Sequence, residues 1–182
     1  MSFVPKKVFF VKGIGYHKSK LGAFEQALRN AGIEKFNLVN VSSILPPHCV
    51  EISKEDGLEQ LRPGQILYIV MSRAESKELE RVVCASIGVA MPADKDQYGY
   101  LSEHHTYGEK PEKTGAYTED LAAEMLATTL GLSFDPNANY DEKREVFKMG
   151  GKIVETKNIT EYATVRNKDE WASVLAAAVF II

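Results

Sequence analysis

Cysteine is nearly absent. Cys49 and Cys84 are the only two in 182 residues, too few for a disulfide framework and without metal-motif spacing, so a reducing cytoplasm is the expected setting. An excess of charge of one sign is also lacking. With 22 Lys and Arg against 25 Asp and Glu, the net charge of −3 offers no basic field for nucleic acid. Long hydrophobic runs are missing too. Val174 to Ile182 is the longest apolar stretch, well short of the ~20 residues that span a bilayer, and the amino terminus carries no apolar signal core. No membrane partner is expected, and the stretch reads as a buried final strand. Repeats, low-complexity segments and linkers are likewise absent. What remains is a chain with an ordinary apolar share of 45%, long enough to bury one real core as a single domain over residues 1–182.

The pattern is α/β and rich in strands. Lys7 to Val11 is β-rich, and Lys12 to Tyr16, with two glycines, reads as the loop after it. Gly13-Ile14-Gly15 does not make a dinucleotide fingerprint, because the third glycine would fall at Lys18. Ser19 is placed to cap a helix in which Leu21, Phe24, Leu28 and Ala31 recur at helical spacing until Gly32 stops it. Strands are predicted over 35–42, Gln65 to Ser72, Val82 to Met91 and Tyr98 to His105, the Val82 segment nearly continuous in apolar residues as a strand covered on both faces would be. A second helix is predicted over Thr118 to Leu130, a polar loop over Ser133 to Asp141, and closing strands over Lys152 to Val165 and Trp171 to Ile182.

Chemistry concentrates where the 35–42 strand ends in Ser42-Ser43-Ile44-Leu45-Pro46-Pro47. The two prolines hold Leu45 and Pro46 extended, so two adjacent hydroxyls sit where a strand must stop. By composition alone this is an ordinary serine turn. A serine there could instead attack the preceding carbonyl, because its hydroxyl becomes a nucleophile when its neighbours activate it. Attack by Ser43 Oγ on Ser42 would exchange the amide for an ester, β-elimination would cut the chain, and hydrolysis would leave a pyruvoyl group: an electrophilic ketone made from protein alone.

Two blocks in the same order decide between these readings. Leu21-Gly22-Ala23-Phe24-Glu25-Gln26-Ala27-Leu28-Arg29-Asn30-Ala31-Gly32-Ile33, continuing through Asn37-Leu38 to Ser42-Ser43-Ile44-Leu45-Pro46-Pro47, resembles the pyruvoyl-dependent arginine decarboxylases. Ala85-Ser86-Ile87-Gly88-Val89-Ala90-Met91-Pro92-Ala93-Asp94-Lys95, followed by Gly99 and Glu103, resembles the same family. The resemblance implies a four-layer αββα sandwich assembled as homo-trimers or hexamers with sites between subunits. It implies self-cleavage between Ser42 and Ser43 into a β chain, residues 1–42, and an α chain, residues 43–182, that opens on a pyruvoyl group derived from Ser43. It further implies decarboxylation of L-arginine to agmatine and CO2, as part of polyamine biosynthesis, without metal or pyridoxal phosphate.

The candidate residues carry readings of their own. Glu25 lies four after Leu21 and three before Leu28, a carboxylate within the expected apolar stripe that needs a cation, or snorkels, or pairs with Arg29. The resemblance makes it the group that holds the substrate guanidinium, where the family carries an aspartate, with Leu21, Leu28 and Ile44 along the aliphatic chain and Ser42 beside the site as the new carboxyl terminus. Asn37, six residues before Ser43, could aim its amide at the Ser42 carbonyl as an oxyanion donor or bond its own backbone; the resemblance assigns it to processing and the site. Glu103-His104-His105 invites a metal, but successive strand residues face opposite ways and do not converge. The resemblance instead makes Glu103 the proton donor to the substrate carbanion, a role that burial in an apolar pocket would favour by raising its pKa. The competing expectations are an uncleaved protein of the same fold that binds a cationic ligand, and a decarboxylase of lysine or ornithine.

Overall fold

The computed structural model describes residues 3–132 and 153–182. Two sheets stack face to face between helices, in the αββα order that the resemblance implied. One sheet has five strands in the order β2-β5-β9-β1-β4: β1 (Lys7–His17), β2 (Asn37–Asn40), β4 (Val50–Glu51), β5 (Ile66–Ser76) and β9 (Trp171–Ile181). The other has four in the order β3-β7-β6-β8: β3 (Ile44–Leu45), β6 (Val82–Pro92), β7 (Gly99–Tyr107) and β8 (Ile153–Thr164). Helices α1 (Lys20–Ala31) and α2 (Lys54–Glu59) cover the first sheet, and α3 (Pro111–Thr129) covers the second.

Alternation on the central strands builds three apolar layers. On β9, Leu175, Ala177 and Val179 face α1, while Ala176, Ala178 and Phe180 meet Val8, Ile87, Val89 and Leu101 between the sheets. The β6 side chains Ile87 and Val89 enter the same inner layer, whereas Ala90 packs under α3 against Ala122 and Leu126. Burial on both faces is why these two strands are apolar almost throughout, with Ser86 and Ser173 as buried exceptions.

Four expectations shift. The glycines at 13 and 15 do not end β1, which runs on to His17. A Cβ on Gly13 would lie 2.1 Å from the Ala27 carbonyl oxygen and one on Gly15 2.0 Å from that of Ala23; the glycines are strand residues against which a helix lies backbone to backbone. The buried face of α1 is accordingly Ala23, Ala27 and Ala31, not the Leu21–Phe24–Leu28 stripe read from apolarity. Its caps stand as expected: Ser19 Oγ accepts from the Gly22 N–H at 3.1 Å, and Gly32 takes the left-handed φ of 84°. Helix α3 starts at Pro111, seven residues before the predicted start, because its first turns are buried through hydroxyls that apolar periodicity does not see: Thr106 and Thr114 Oγ1 atoms lie 2.8 Å apart, and Ser102 Oγ donates to the Thr118 carbonyl at 2.5 Å. The short helix α2, capped by Ser53, was not foreseen, and β2 is four residues long. The predicted loop at Ser133 to Asp141 lies outside the described residues.

Candidate active site

Between β2 and β3 the chain leaves one sheet and joins the other, and Ser42-Ser43 lies on that crossing. Both ends are anchored. The Val41 N–H donates to the Ile69 carbonyl at 2.8 Å in the five-stranded sheet, and the Leu101 N–H donates to the Ser43 carbonyl at 2.9 Å in the four-stranded one. In between, the Ile44 N–H donates to the Ser42 carbonyl at 2.9 Å, closing a three-residue turn centred on Ser43. The φ of Ser43 is not positive, so the turn is of the inverse γ type. Leu45 then enters the inner core and the two prolines carry the chain away from the sheet.

Strand β7 brings the carboxylate. Glu103 stands opposite Ile87 in the β6–β7 register and so shares its inward face. Strand β3 pairs only with Gly99 and Tyr100, which leaves β7 at the sheet edge from Leu101 onward. There Ser43 Oγ donates to Glu103 Oε2 at 2.9 Å. The serine chosen from the chain's local chemistry and the glutamate sixty residues later meet as a hydroxyl and its acceptor. The expected burial of Glu103 is not found: the residue is exposed, because the short β3 leaves this edge of the sandwich open. His104 points the other way, its ring 4.7 Å from that of Tyr117, and burial lowers its pKa below the ordinary histidine value, with His105 adding to the effect.

Asn37 does not reach the Ser42 carbonyl. Its Nδ2 donates to the Gly64 carbonyl at 2.8 Å, tying the start of β2 to the turn before β5, and Ser42 lies five positions further along the chain, with a rise of about 3.3 Å per extended residue. The donor at the Ser42 oxygen is the backbone of Ile44 instead. Leu21, Glu25 and Leu28 do not meet Ser43 within the chain either. Leu21 is 74% exposed, and Glu25 lies opposite the alanine seam and pairs with Arg29 at 2.6 Å, so the i,i+4 reading of Glu25 holds in the single chain. Leu28 is half-buried on the flank of α1. Ser42 and Ile44 are exposed.

A cavity of about 370 Å³ opens beside the crossing, lined by Ser42, Ile44, Val41, Pro46, Tyr68 and Phe180, with Phe3 and Pro5 at its rim. Tyr68 and Phe180 face each other across β5 and β9. Nothing local in the sequence ties either to Ser42, and only the sheet register does. A larger cavity, about 500 Å³, lies beyond Leu45 and Pro46 and contains none of residues 42–44.

Residues 7–182 match the sequence profile of the pyruvoyl-dependent arginine decarboxylases. The chain belongs to this family. It is 58% identical over 181 residues to the probable pyruvoyl-dependent arginine decarboxylase of Chlorobaculum tepidum, covering 100% of this chain and 99% of that one. It is 50% identical over 179 residues to the pyruvoyl-dependent arginine decarboxylase of Methanococcoides burtonii (98% and 99%) and 47% identical over 178 residues to pyruvoyl-dependent arginine decarboxylase 2 of Methanosarcina acetivorans (98% and 97%). The family's name specifies a pyruvoyl group, and the crossing fits one. Among the described residues the Ser43 N–H has no acceptor, so turning that nitrogen into a keto oxygen breaks no bond of the fold, while the Ser43 carbonyl stays held by Leu101.

Proposed function

We propose that this protein decarboxylates L-arginine to agmatine and CO2 with a pyruvoyl group made from its own Ser43, after self-cleavage into residues 1–42 and 43–182. The observation that carries this is the pair of contacts on one peptide unit: Ser43 Oγ on Glu103 at 2.9 Å and the Ser42 carbonyl on the Ile44 N–H at 2.9 Å. A nucleophile with a carboxylate to take its proton, beside a carbonyl already polarised by a donor, is the arrangement an acyl shift needs.

The pyruvoyl group, once formed, supplies a keto function beside an amide carbonyl, an electron sink for loss of a carboxylate. The remaining roles fall to side chains. Glu103 takes the Ser43 hydroxyl proton during processing and returns a proton to the substrate Cα during turnover. Ser42, as the new carboxyl terminus, and Ile44 border the cavity beside the group. Glu25 binds the guanidinium, with Leu21 and Leu28 along the aliphatic stem, and Asn37 completes the polar wall. These last four come from a neighbouring copy in a homo-trimer or hexamer of processed protomers. Two features support that arrangement: Leu21 and Glu25 face outward on α1, and the edge beside β2 exposes Val39, Val41 and Ile66. A copy seated there would also bury Glu103 and so favour its protonated form. Among the described residues no helix is long and apolar enough to cross a membrane.

Intact mass, carbonyl trapping and a product assay test the proposal together. Two chains, a phenylhydrazine adduct on the larger and agmatine from arginine are expected, with lysine and ornithine turned over poorly. A single full-length chain after prolonged incubation would instead mark an uncleaved binder of cations.

A further inference from the structure

We propose that the backbone N–H of Leu101 is a catalytic donor to the carbonyl oxygen of residue 43, serving first the elimination that severs the chain and then the decarboxylation. This rests on the self-cleavage reading and assigns a group which that reading leaves idle.

Three facts place the donor. The Leu101 N–H lies 2.9 Å from the Ser43 oxygen. Leu101 is wholly buried in the inner core and sits opposite Val89 in the β6–β7 ladder, so its amide is fixed by that ladder and needs no reorientation. Finally, the Ser42 oxygen has a different donor, the Ile44 N–H. The two reacting carbonyls therefore each face one amide, and the steps divide between them.

The acyl shift places negative charge on the Ser42 oxygen, where Ile44 acts. It moves the Ser42 acyl group from nitrogen to Oγ of residue 43 and leaves a free amine. In the elimination a base removes the Cα proton of residue 43, the Cα–Cβ double bond forms, the Cβ–Oγ bond breaks, and Ser42 departs as a carboxylate. The electron pair of the Cα–H bond is shared with the carbonyl oxygen of residue 43 on the way, and Leu101 faces that oxygen. Water then adds to the imine tautomer of the dehydroalanine and ammonia leaves. The carbonyl of residue 43 survives this sequence unchanged, so Leu101 meets the same oxygen when electrons from a departing carboxylate arrive. A fixed donor aimed at developing charge contributes on the order of 10²-fold or more to such a step. An ordinary strand bond would contribute only to stability.

The test replaces Leu101 in the full chain with its α-hydroxy acid, which exchanges the N–H for oxygen and leaves the side chain. Self-cleavage is followed by intact mass with and without neutral hydroxylamine, which cuts esters. The wild type should pass to two chains with little ester. The variant should accumulate an ester that hydroxylamine cuts after Ser42, distinguished by mass from cutting at the introduced ester after Tyr100, and its two-chain form should appear on the order of 10²-fold more slowly. As a control, Gly108 is replaced with glycolic acid. Its N–H donates to the Val82 carbonyl at 2.8 Å just past the far end of β7, and this change should leave the rate alone. Wild-type cleavage in the Leu101 variant, or equal slowing by both changes, would overturn the proposal. A wild type that never cleaves would instead overturn self-cleavage itself. On the unmodified sequence, a scalar coupling across the hydrogen bond between the Leu101 nitrogen and the residue 43 carbonyl carbon is expected both before and after processing. Its loss on processing would remove the donor from turnover.

Discussion

Exchanging Glu103 for glutamine isolates the carboxylate's chemistry from its shape. The amide keeps the length of the side chain and an acceptor oxygen for Ser43 Oγ, now 2.9 Å from Oε2, but it takes up no proton. If Glu103 is the base that frees the Ser43 hydroxyl, self-cleavage should slow by about 10² to 10⁴-fold, the usual weight of a positioned acid or base. On the barrier that is about 3–5 kcal/mol. The fold should barely notice, because Glu103 is exposed and a single hydrogen bond at such a place nets about 1 kcal/mol or less. Purified precursor would be incubated at 25 °C, sampled over days and read by intact mass, with thermal unfolding run alongside. Persistence of a full-length chain with an unchanged Tm is the expected outcome. Glu103→Asp, which withdraws the carboxylate by one methylene, should fall between the two. If Glu103→Gln cleaves at the wild-type rate, the Ser43–Glu103 contact is incidental, and the base lies elsewhere.

Glu25→Ala should raise KM for arginine by about tenfold or more, the weight of a charge-assisted bond. It should leave stability nearly unchanged, since the pair with Arg29 is a solvent-exposed helix pair; an unchanged KM would place the guanidinium elsewhere. Gly15→Ala should lower stability by about 1–3 kcal/mol in denaturant titrations, because the new Cβ meets helix backbone at 2.0 Å with nowhere to go; a neutral change would mean that α1 slides freely on β1. His104 should make folding pH-dependent. Burial lowers its folded pKa below 6.5, so the unfolded chain binds the proton first, stability is full above about pH 6.5 and falls as the pH drops toward the folded value. His104→Phe should flatten that decline between pH 7.5 and 5.5 in denaturation midpoints, and an identical slope in both proteins would refute the assignment.

Part of this fold and its site is legible in the sequence alone. Local rules fixed the caps at Ser19 and Gly32, the doubly covered strand around Ile87, the buried final strand around Ala177, and the place where a strand gives way to Ser42-Ser43 against two prolines, because each depends on residues within a few positions of one another. Two ordered blocks of resemblance carried the family and singled out Glu103. Tertiary structure decided the rest. Strand register put Glu103 on Ser43, gave the Ser43 carbonyl to Leu101, and brought Tyr68 and Phe180 to the crossing, all through pairings between distant segments that no periodicity encodes. The same packing turned Gly13 and Gly15 from loop into strand and set Glu25 on the outer face of α1. Helix–sheet contact is settled by which backbones approach most closely, and small residues allow that approach while adding little to an apolar pattern.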